Sequence, residues 1–305
     1  MRGMTNFLIR RAKATDRPRL LEISSQIWEG QDYVPHVVDA WIADPASELA
    51  VAIEKDSADG MELLVGFARC SRFAPDYAWL EGARTDLQYR NRGASKALLN
   101  HFLAKLRSQN VRVVALSTYI ENKASIHIIE REGFRRVGAY VYAERHPQHE
   151  ASRRTQDATA EPGHTVVSRL GSQDVLGFLG SCEKGIRFIA DGWKFIPLEL
   201  GSQLVDSRIE FLGARRRGRI SAVAAVSKNG LANELLSIGI FGEDPMDVAS
   251  LLDETSARFP IEQSELMIWP SPASDDLLEI VRSRGYCVWN EGRGDVFVYQ
   301  LTLAS

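Results

Sequence analysis

The stretch Leu87-Gln88-Tyr89-Arg90-Asn91-Arg92-Gly93-Ala94-Ser95-Lys96-Ala97-Leu98-Leu99 decides how this chain reads. A strand-like run, Ala78 to Asp86, leads into it. A helix-like run from Ser95 leads out, with apolar Leu98, Leu99, Phe102, Leu103 and Leu106 at helical spacing. A strand therefore ends, a loop of small and basic residues follows, and a helix begins. The first N–H groups of a helix have no intrahelical partner, and the helix dipole favours an anion there. Gly93 and Ser95 let a phosphate approach the backbone, and Arg90 and Arg92 add positive charge. The stretch predicts a pyrophosphate-binding loop; the plain alternative is an ordinary basic helix N-terminus.

At 305 residues the chain has length for two domains of roughly 150 residues each. Its 45% hydrophobic and 25% charged residues are those of a water-soluble globular protein. A net charge of -3 gives no global electrostatic case for nucleic acid. No apolar run approaches the ~20 residues of a membrane span, and the start lacks an apolar signal core. Cys70, Cys182 and Cys287 are odd in number and widely spaced, without metal-type pairing, and fit a reducing cytoplasm. No metal is expected.

Working outward, Phe7 to Arg11 predicts a first strand, and Leu20 to Trp28 a helix with Asp16 as cap and Pro18 in its first turn. Val37 to Ala43 predicts a second short helix. Strands are expected at Leu49 to Glu54, Met61 to Arg72 and Ala78 to Leu87. The helix from Ser95 to Ser108 is followed by a strand, Val111 to Thr118, and a helix, Lys123 to Glu132, stopped at Gly133. Arg135 to Arg145 gives one or two closing strands. The polar run 146–163 reads as a linker, its His146 and His149 as solvent-facing.

Arg90-x-x-Gly93-x-Ser95 resembles the acetyl-CoA loop of the GNAT superfamily of N-acetyltransferases, whose pattern is Gln/Arg-x-x-Gly-x-Gly/Ala. Ser95 is a small departure. The Walker loop ends in Gly-Lys-Ser/Thr and the dinucleotide loop reads Gly-x-Gly-x-x-Gly, so neither fits. The element order over residues 5–145 is that of the GNAT fold: strand, two helices, three antiparallel strands, helix, strand, helix, strand. The fold class expected is thus α/β (α+β), with a mixed sheet flanked by helices. The resemblance implies acetyl-CoA as co-substrate, held by Arg90, Asn91, Arg92, Gly93, Ala94 and Ser95. It implies that Ala83, Arg84 and Thr85 pair with pantetheine along a strand edge; otherwise Ala83 and Thr85 are plain sheet residues. Asn122 either contacts pantetheine, as in the family, or caps the next helix.

Acyl transfer to an amine needs an oriented thioester, a neutral amine and a proton for the leaving thiolate. Glu81 is the candidate base. It lies two residues before Ala83, so strand alternation would put both on one face, near Trp79. Substrate-binding and structural roles for Glu81 remain open. The family's Asn-x-x-Ala-x-x-x-Tyr-x-Lys-x-Gly-Phe is represented by Asn122 through Gly133-Phe134, but Ile129 stands at the tyrosine position and has no proton to give. Tyr119 is another donor candidate. The run from Trp28 through Pro35, with Leu80 to Arg84, resembles the histidine N-acetyltransferase-like branch. That implies a free amino acid or similar small amine as acceptor, with Glu29 or Asp32 holding a cationic group and Tyr33 lining the pocket. Otherwise the aromatics are core and the acids are caps.

Residues 164–305 repeat the theme: Gly285-Tyr286 before a closing strand mirrors Gly133-Phe134. We expect a GNAT domain at 1–145 and a diverged, degenerate GNAT-like copy at 164–305. At the loop position of the second copy stand Glu243 and Asp244, whose carboxylates would repel a pyrophosphate. The expectation is an N-acetyltransferase acting on a small-molecule amine. The alternatives are a protein or peptide acetyltransferase and a CoA-binding sensor. A homodimer stays open; nucleic acid and membrane partners are not expected.

Overall fold

The computed structural model describes residues 7–27, 32–55, 62–146, 165–182, 185–200, 209–229 and 235–303. Most of the expected linker, and His149, lie outside them, as does Glu29. By internal contacts the chain forms two units. One holds residues 1–116, 128–135 and 300–305; the other holds 117–127 and 136–299.

The first unit opens with β1 (Phe7–Arg11), α1 (Arg17–Ser25) and α2 (Val34–Ala43). Pro18 sits in the first turn of α1, as expected, but Asp16 does not cap it. Its carboxylate instead takes Arg10 through two hydrogen bonds, 2.7 and 2.8 Å, and the Lys13 N–H at 2.7 Å. α2 begins three residues earlier than expected, because Pro35 fits a helix's first turn rather than breaking one. Strands β2 (Glu48–Lys55), β3 (Glu62–Ala74) and β4 (Tyr77–Thr85) follow, then α3 (Ala94–Ser108) and β5 (Val113–Tyr119). The sheet runs β1-β2-β3-β4-β5, antiparallel except for the last pair. A parallel pair needs a crossover, and α3 is that crossover. Its Leu98, Leu99, Phe102, Leu103 and Leu106 are all buried, each worth about 1.5–3 kcal/mol. On α1 and α2, Leu20, Ile23, Val34, Val38 and Trp41 pack with Leu49, Val51, Ile53 and Phe67 of the sheet.

Helix α4 (Lys123–Arg131) ends at Gly133, which holds φ +92, a conformation that suits glycine. The Phe134 N–H closes onto Ile129 O at 3.1 Å. β6 (Arg135–Arg145) is one strand and, from residue 136, opens the second unit.

The second unit continues with β7 (Val166–Arg169), α5 (Ser172–Ser181), β8 (Phe188–Asp191), β9 (Lys194–Pro197), β10 (Ile209–Arg216) and β11 (Arg219–Asn229). Then come β12 (Leu235–Phe241), α6 (Pro245–Arg258), β13 (Gln263–Trp269), α7 (Asp275–Ser283), β14 (Cys287–Val288) and β15 (Val296–Thr302). Its sheet runs β7-β10-β11-β12-β13-β6, with β12 and β13 parallel and α6 between them. The β10–β11 hairpin turns at Arg217 and Gly218, both at positive φ, as the right-handed strand twist prefers. Sequence periodicity missed β8 and β9, four residues each, which pair around Gly192 at φ +58. The core is aliphatic: Val223, Ala224 and Val226 of β11 and Ile238 and Ile240 of β12 are buried, and α6 covers the sheet with buried Val248, Leu251 and Leu252.

Candidate active site

The site is built where β4 hands over to α3. The ladder between β4 and β5 ends at Leu80 opposite Leu116, whereas that with β3 continues to Thr85 opposite Gly66. Within the β3 ladder the register slips between Phe67 and Arg69, because β4 carries an extra residue at Gly82-Ala83. Gly82 has φ +66, and a Cβ there would lie 2.6 Å from the Trp41 ring, so only glycine fits. The bulge corrects one expectation. Counting by twos from Glu81 to Ala83 does not hold across it, so alternation cannot place those two side chains on one face.

After β4, Asp86 is buried and takes the Gln88 N–H at 2.8 Å, the Asx hydrogen bond of a tight turn. The Arg19 guanidinium of α1 also binds it. The loop then climbs through Asn91 at φ +61 and Gly93 at φ +98 into α3. Gly93 is the residue before the first helical turn, and its carbonyl accepts from Ala97 N–H at 2.9 Å. A Cβ at Gly93 would meet only Phe7 Cε2, at 4.0 Å, so the space in front of the helix start is open. Asn91, Arg92 and Gly93 are exposed and Ala94 is buried. Arg92 stacks over the Tyr89 ring at 4.6 Å and lies 3.4 Å from the Glu54 carboxylate. Arg90 is exposed on the same loop. Thr85 Oγ1 and Ser95 Oγ stand 2.8 Å apart and tie the strand's last residue to the helix's first turn. Open backbone, two hydroxyls and basic side chains at a helix N-terminus fit a pyrophosphate.

The segment between α1 and α2 is docked to β4 by an ion pair between Asp32 and Arg84. Asp32, only 3% exposed, accepts from Arg84 Nε at 2.9 Å, Arg84 Nη2 at 2.7 Å and Ser24 Oγ at 2.7 Å. The Arg84 guanidinium lies over Tyr33, 5.5 Å from the ring centroid. Burial lowers the Arg84 pKa, but Asp32 and Tyr33 together outweigh it and leave the value raised. Two sequence expectations change here. The cationic group that Asp32 holds is Arg84 of this chain, and the Arg84 side chain turns to α1–α2, leaving only its backbone for pantetheine.

Glu81 Oε1 accepts from Arg69 and from Ser71 Oγ at 3.4 Å. Arg69 also reaches Asp44 Oδ2 at 2.8 Å and Ser47 Oγ at 3.1 Å. Its guanidinium sits 5.2 Å from the Trp41 centroid, and the Tyr33 ring meets Trp41 edge-on at 5.9 Å. Trp41 is thus a buried core ring, whereas Tyr33 is 38% exposed. Sequence reasoning missed Arg69, Asp86 and the Thr85–Ser95 pair. The one local signal was Asp86, an acid two residues ahead of a turn.

Ile129 is buried at 4% exposure, a core side chain at the tyrosine position. Tyr119 packs edge-on against Trp289 at 5.3 Å, and burial raises its pKa. Asn122 is exposed; its carbonyl accepts the Ile126 N–H at 3.0 Å, so it stands at the start of α4. In the second unit Asp244 caps α6, accepting from Met246 and Asp247 N–H at 3.0 and 3.2 Å. The carboxylate fills the donors that Gly93 leaves open in the first unit. Among the described residues, no three His, Cys, Asp or Glu side chains are placed to hold a metal ion. None of the helices described is long and apolar enough to cross a membrane.

Residues 17–134 match the model of the Acetyltransferase (GNAT) family. A GCN5-related N-acetyltransferase from Sphaerobacter thermophilus aligns over 97% of this chain and 95% of its own, with TM-score 0.63 and 12% identity. A glucosamine N-acetyltransferase region of a fungal multi-domain GH3 enzyme aligns over 97% of this chain and 38% of that one, with TM-score 0.57 and 11% identity. Among curated proteins none matches. At these identities the solved structures establish the GNAT fold.

Proposed function

We propose that the chain transfers an acetyl group from acetyl-CoA to the amine of a small molecule, a free amino acid being the first candidate. The observation that carries this is the Arg90–Ser95 loop: glycine at φ +98, open space before α3, and Thr85 hydrogen-bonded to Ser95. Backbone N–H groups of residues 93–95, with Arg90, Asn91 and Arg92, would hold the pyrophosphate. The backbone of Ala83 to Thr85 would run beside pantetheine, and Asn122 would serve as a further contact. Acetyl-CoA supplies the thioester. The chain supplies orientation, a base and exclusion of water.

Glu81 is the proposed base, taking the ammonium proton through a water, with Arg69 fixing the direction of its carboxylate. Tyr33, the exposed aromatic beside Arg84, would line the acceptor side. Asp32 would contribute by holding Arg84. Residues 164–305 would be the diverged copy, since an antiparallel set of strands again leads into a helix between two parallel strands.

The test is Gly93→Glu, which places a carboxylate where the phosphate would lie. Acetyl-CoA binding, measured by calorimetry, should be lost while the circular dichroism spectrum is kept; unchanged binding overturns the reading. Thiol release against free amino acids, polyamines, aminoglycosides and short peptides then selects the acceptor. Activity on peptides alone would transfer the proposal to a protein acetyltransferase. The buried Ile129 favours one rival, a CoA-binding sensor, which silence across the panel with binding intact would select.

A further inference from the structure

The first unit contains a cavity of about 180 Å³ away from its phosphate loop. Arg11, the last residue of β1, lines it with Glu48 of β2, Cys70 and Arg72 of β3, and Phe102 and Lys105 of α3. The register explains the meeting: Glu48 stands opposite Cys70 in the β2–β3 ladder, and Arg11 stands opposite Ala50 on the other side of β2. Ten residues of helix separate Lys105 from Ser95, about 15 Å along the axis.

The charges on this wall do not cancel. Lys105 Nζ reaches Glu48 Oε2 at 2.6 Å, and His101 Nε2 lies 3.0 Å from Glu48 Oε1, so both oxygens of the one lining carboxylate are engaged by α3. Among the described residues, Arg11 and Arg72 have no carboxylate partner. Arg11 donates to Asp44 O, and Arg72 to Pro75 O and Gln109 Oε1. A guanidinium carries five N–H donors, so each keeps most of its donors for another acceptor. The neutral partners also hold both heads at the cavity: Asp44 precedes the wall residue Pro45, and Gln109 is a wall residue itself. The Asp44 carboxylate is committed to Arg69, Ser47 and the Ala46 N–H. The positive field reaches the buried side of the cavity, because burial pushes the Cys70 thiol up while Arg72 and Lys105 pull against it. A guanidinium fork already held in place matches the edge of a carboxylate or a phosphate.

We propose that this cavity binds a compact divalent oxyanion, inorganic phosphate or a short dicarboxylate, gripped by Arg11 and Arg72 with Lys105 beside them. The inference does not depend on the acetyltransferase reading, because no residue of the phosphate loop takes part.

The experiment is calorimetry on the full chain, wild type and Gly93→Glu, with inorganic phosphate, succinate and neutral succinamide; Gly93→Glu shuts the helix-start site to anions. The expected result in both chains is saturable binding of phosphate, of succinate or of both, with a Kd below about 10 mM and at least about tenfold tighter than succinamide. Phosphate alone would mark a phosphate site and succinate alone a dicarboxylate site. Arg11→Gln and Arg72→Gln, both on exposed residues, should each weaken the anion by about tenfold or more, as loss of a charge-assisted pair requires. Arg217→Gln, an exposed arginine of the second unit, should leave it unchanged. No saturable binding of either anion, succinamide bound as well as succinate, or wild-type affinity in either cavity variant overturns the proposal.

Discussion

Thr85 Oγ1 and Ser95 Oγ meet at 2.8 Å, joining the end of β4 to the first turn of α3 ten residues later. The pair fixes the loop between them, whose backbone is the phosphate candidate. Thr85→Val keeps the shape and removes the hydroxyl. A neutral hydrogen bond is worth about 0.5–1.5 kcal/mol, so the Kd for acetyl-CoA should rise about 2- to 10-fold. Thermal unfolding should move by only a few degrees. Calorimetry reads the first quantity and a melting curve the second; an unmoved Kd would mean the loop holds its shape without the pair.

Asp32 and Arg84 make a buried pair, with side chains 1% and 10% exposed. Removing one partner strands the other charge, which costs about 3–5 kcal/mol. Asp32→Asn and Arg84→Met should each lower the urea midpoint sharply. The double variant should recover part of the loss, because no charge is then left alone. Additive losses in the double-mutant cycle would show that the two groups do not interact.

Stability should fall as pH rises above about 4. Burial raises Glu265 from 4.5 to about 7 and Asp295 from 3.8 to about 7. Between the unfolded and folded values the folded state keeps protons that the unfolded chain has released. Their contribution is therefore complete below about pH 4 and is lost as pH climbs through 7, at most a few kcal/mol in all. Asp16, Asp44 and Glu48 shift the other way, through hydrogen bonds and cationic neighbours that outweigh burial. Their support is lost only as pH falls through the low carboxylate range, to about 2 for Asp44. The urea midpoint should peak near pH 4 (about where the two windows meet), and Glu265→Gln should flatten its alkaline slope. A midpoint flat from pH 5 to 8 contradicts this.

The thiols should separate by reactivity. Cys70 is buried, and burial pushes its thiol up to about 12. Cys182 is half-buried with a raised value, and Cys287 is exposed. A thiol reagent at pH 8 should modify Cys287 quickly, Cys182 slowly and Cys70 only on unfolding. Mass mapping of the labelled peptides reads this order, and early labelling of Cys70 would contradict its burial.

Much of the first unit was legible because its signals are local. The apolar spacing of α3, the glycine after α4 and the small, basic loop each act within one turn of helix. What stayed hidden depends on partners distant in sequence. Asp32 reads as a free acid until Arg84 arrives from 52 residues away. Glu81 reads as facing Ala83 until the Gly82 bulge, imposed by the Trp41 ring, changes the count. The β8 and β9 strands are too short for a period of two to stand out, although Asp191-Gly192 is a turn signal. Asp16 has the residue type of a cap, yet Arg10 takes its carboxylate.

The Leu303 N–H donates to Arg112 O at 2.9 Å, and residues 300–305 belong to the unit otherwise made by the first part of the chain. Vectorial synthesis therefore meets a delay. When Arg112 leaves the ribosome its partner has not been made, and at 5–20 residues per second it follows on the order of ten seconds or more later. Through that interval the nascent first unit keeps an unfinished edge, a state in which holding chaperones would find it. Cutting the gene in the polar run after β6 would make that interval permanent.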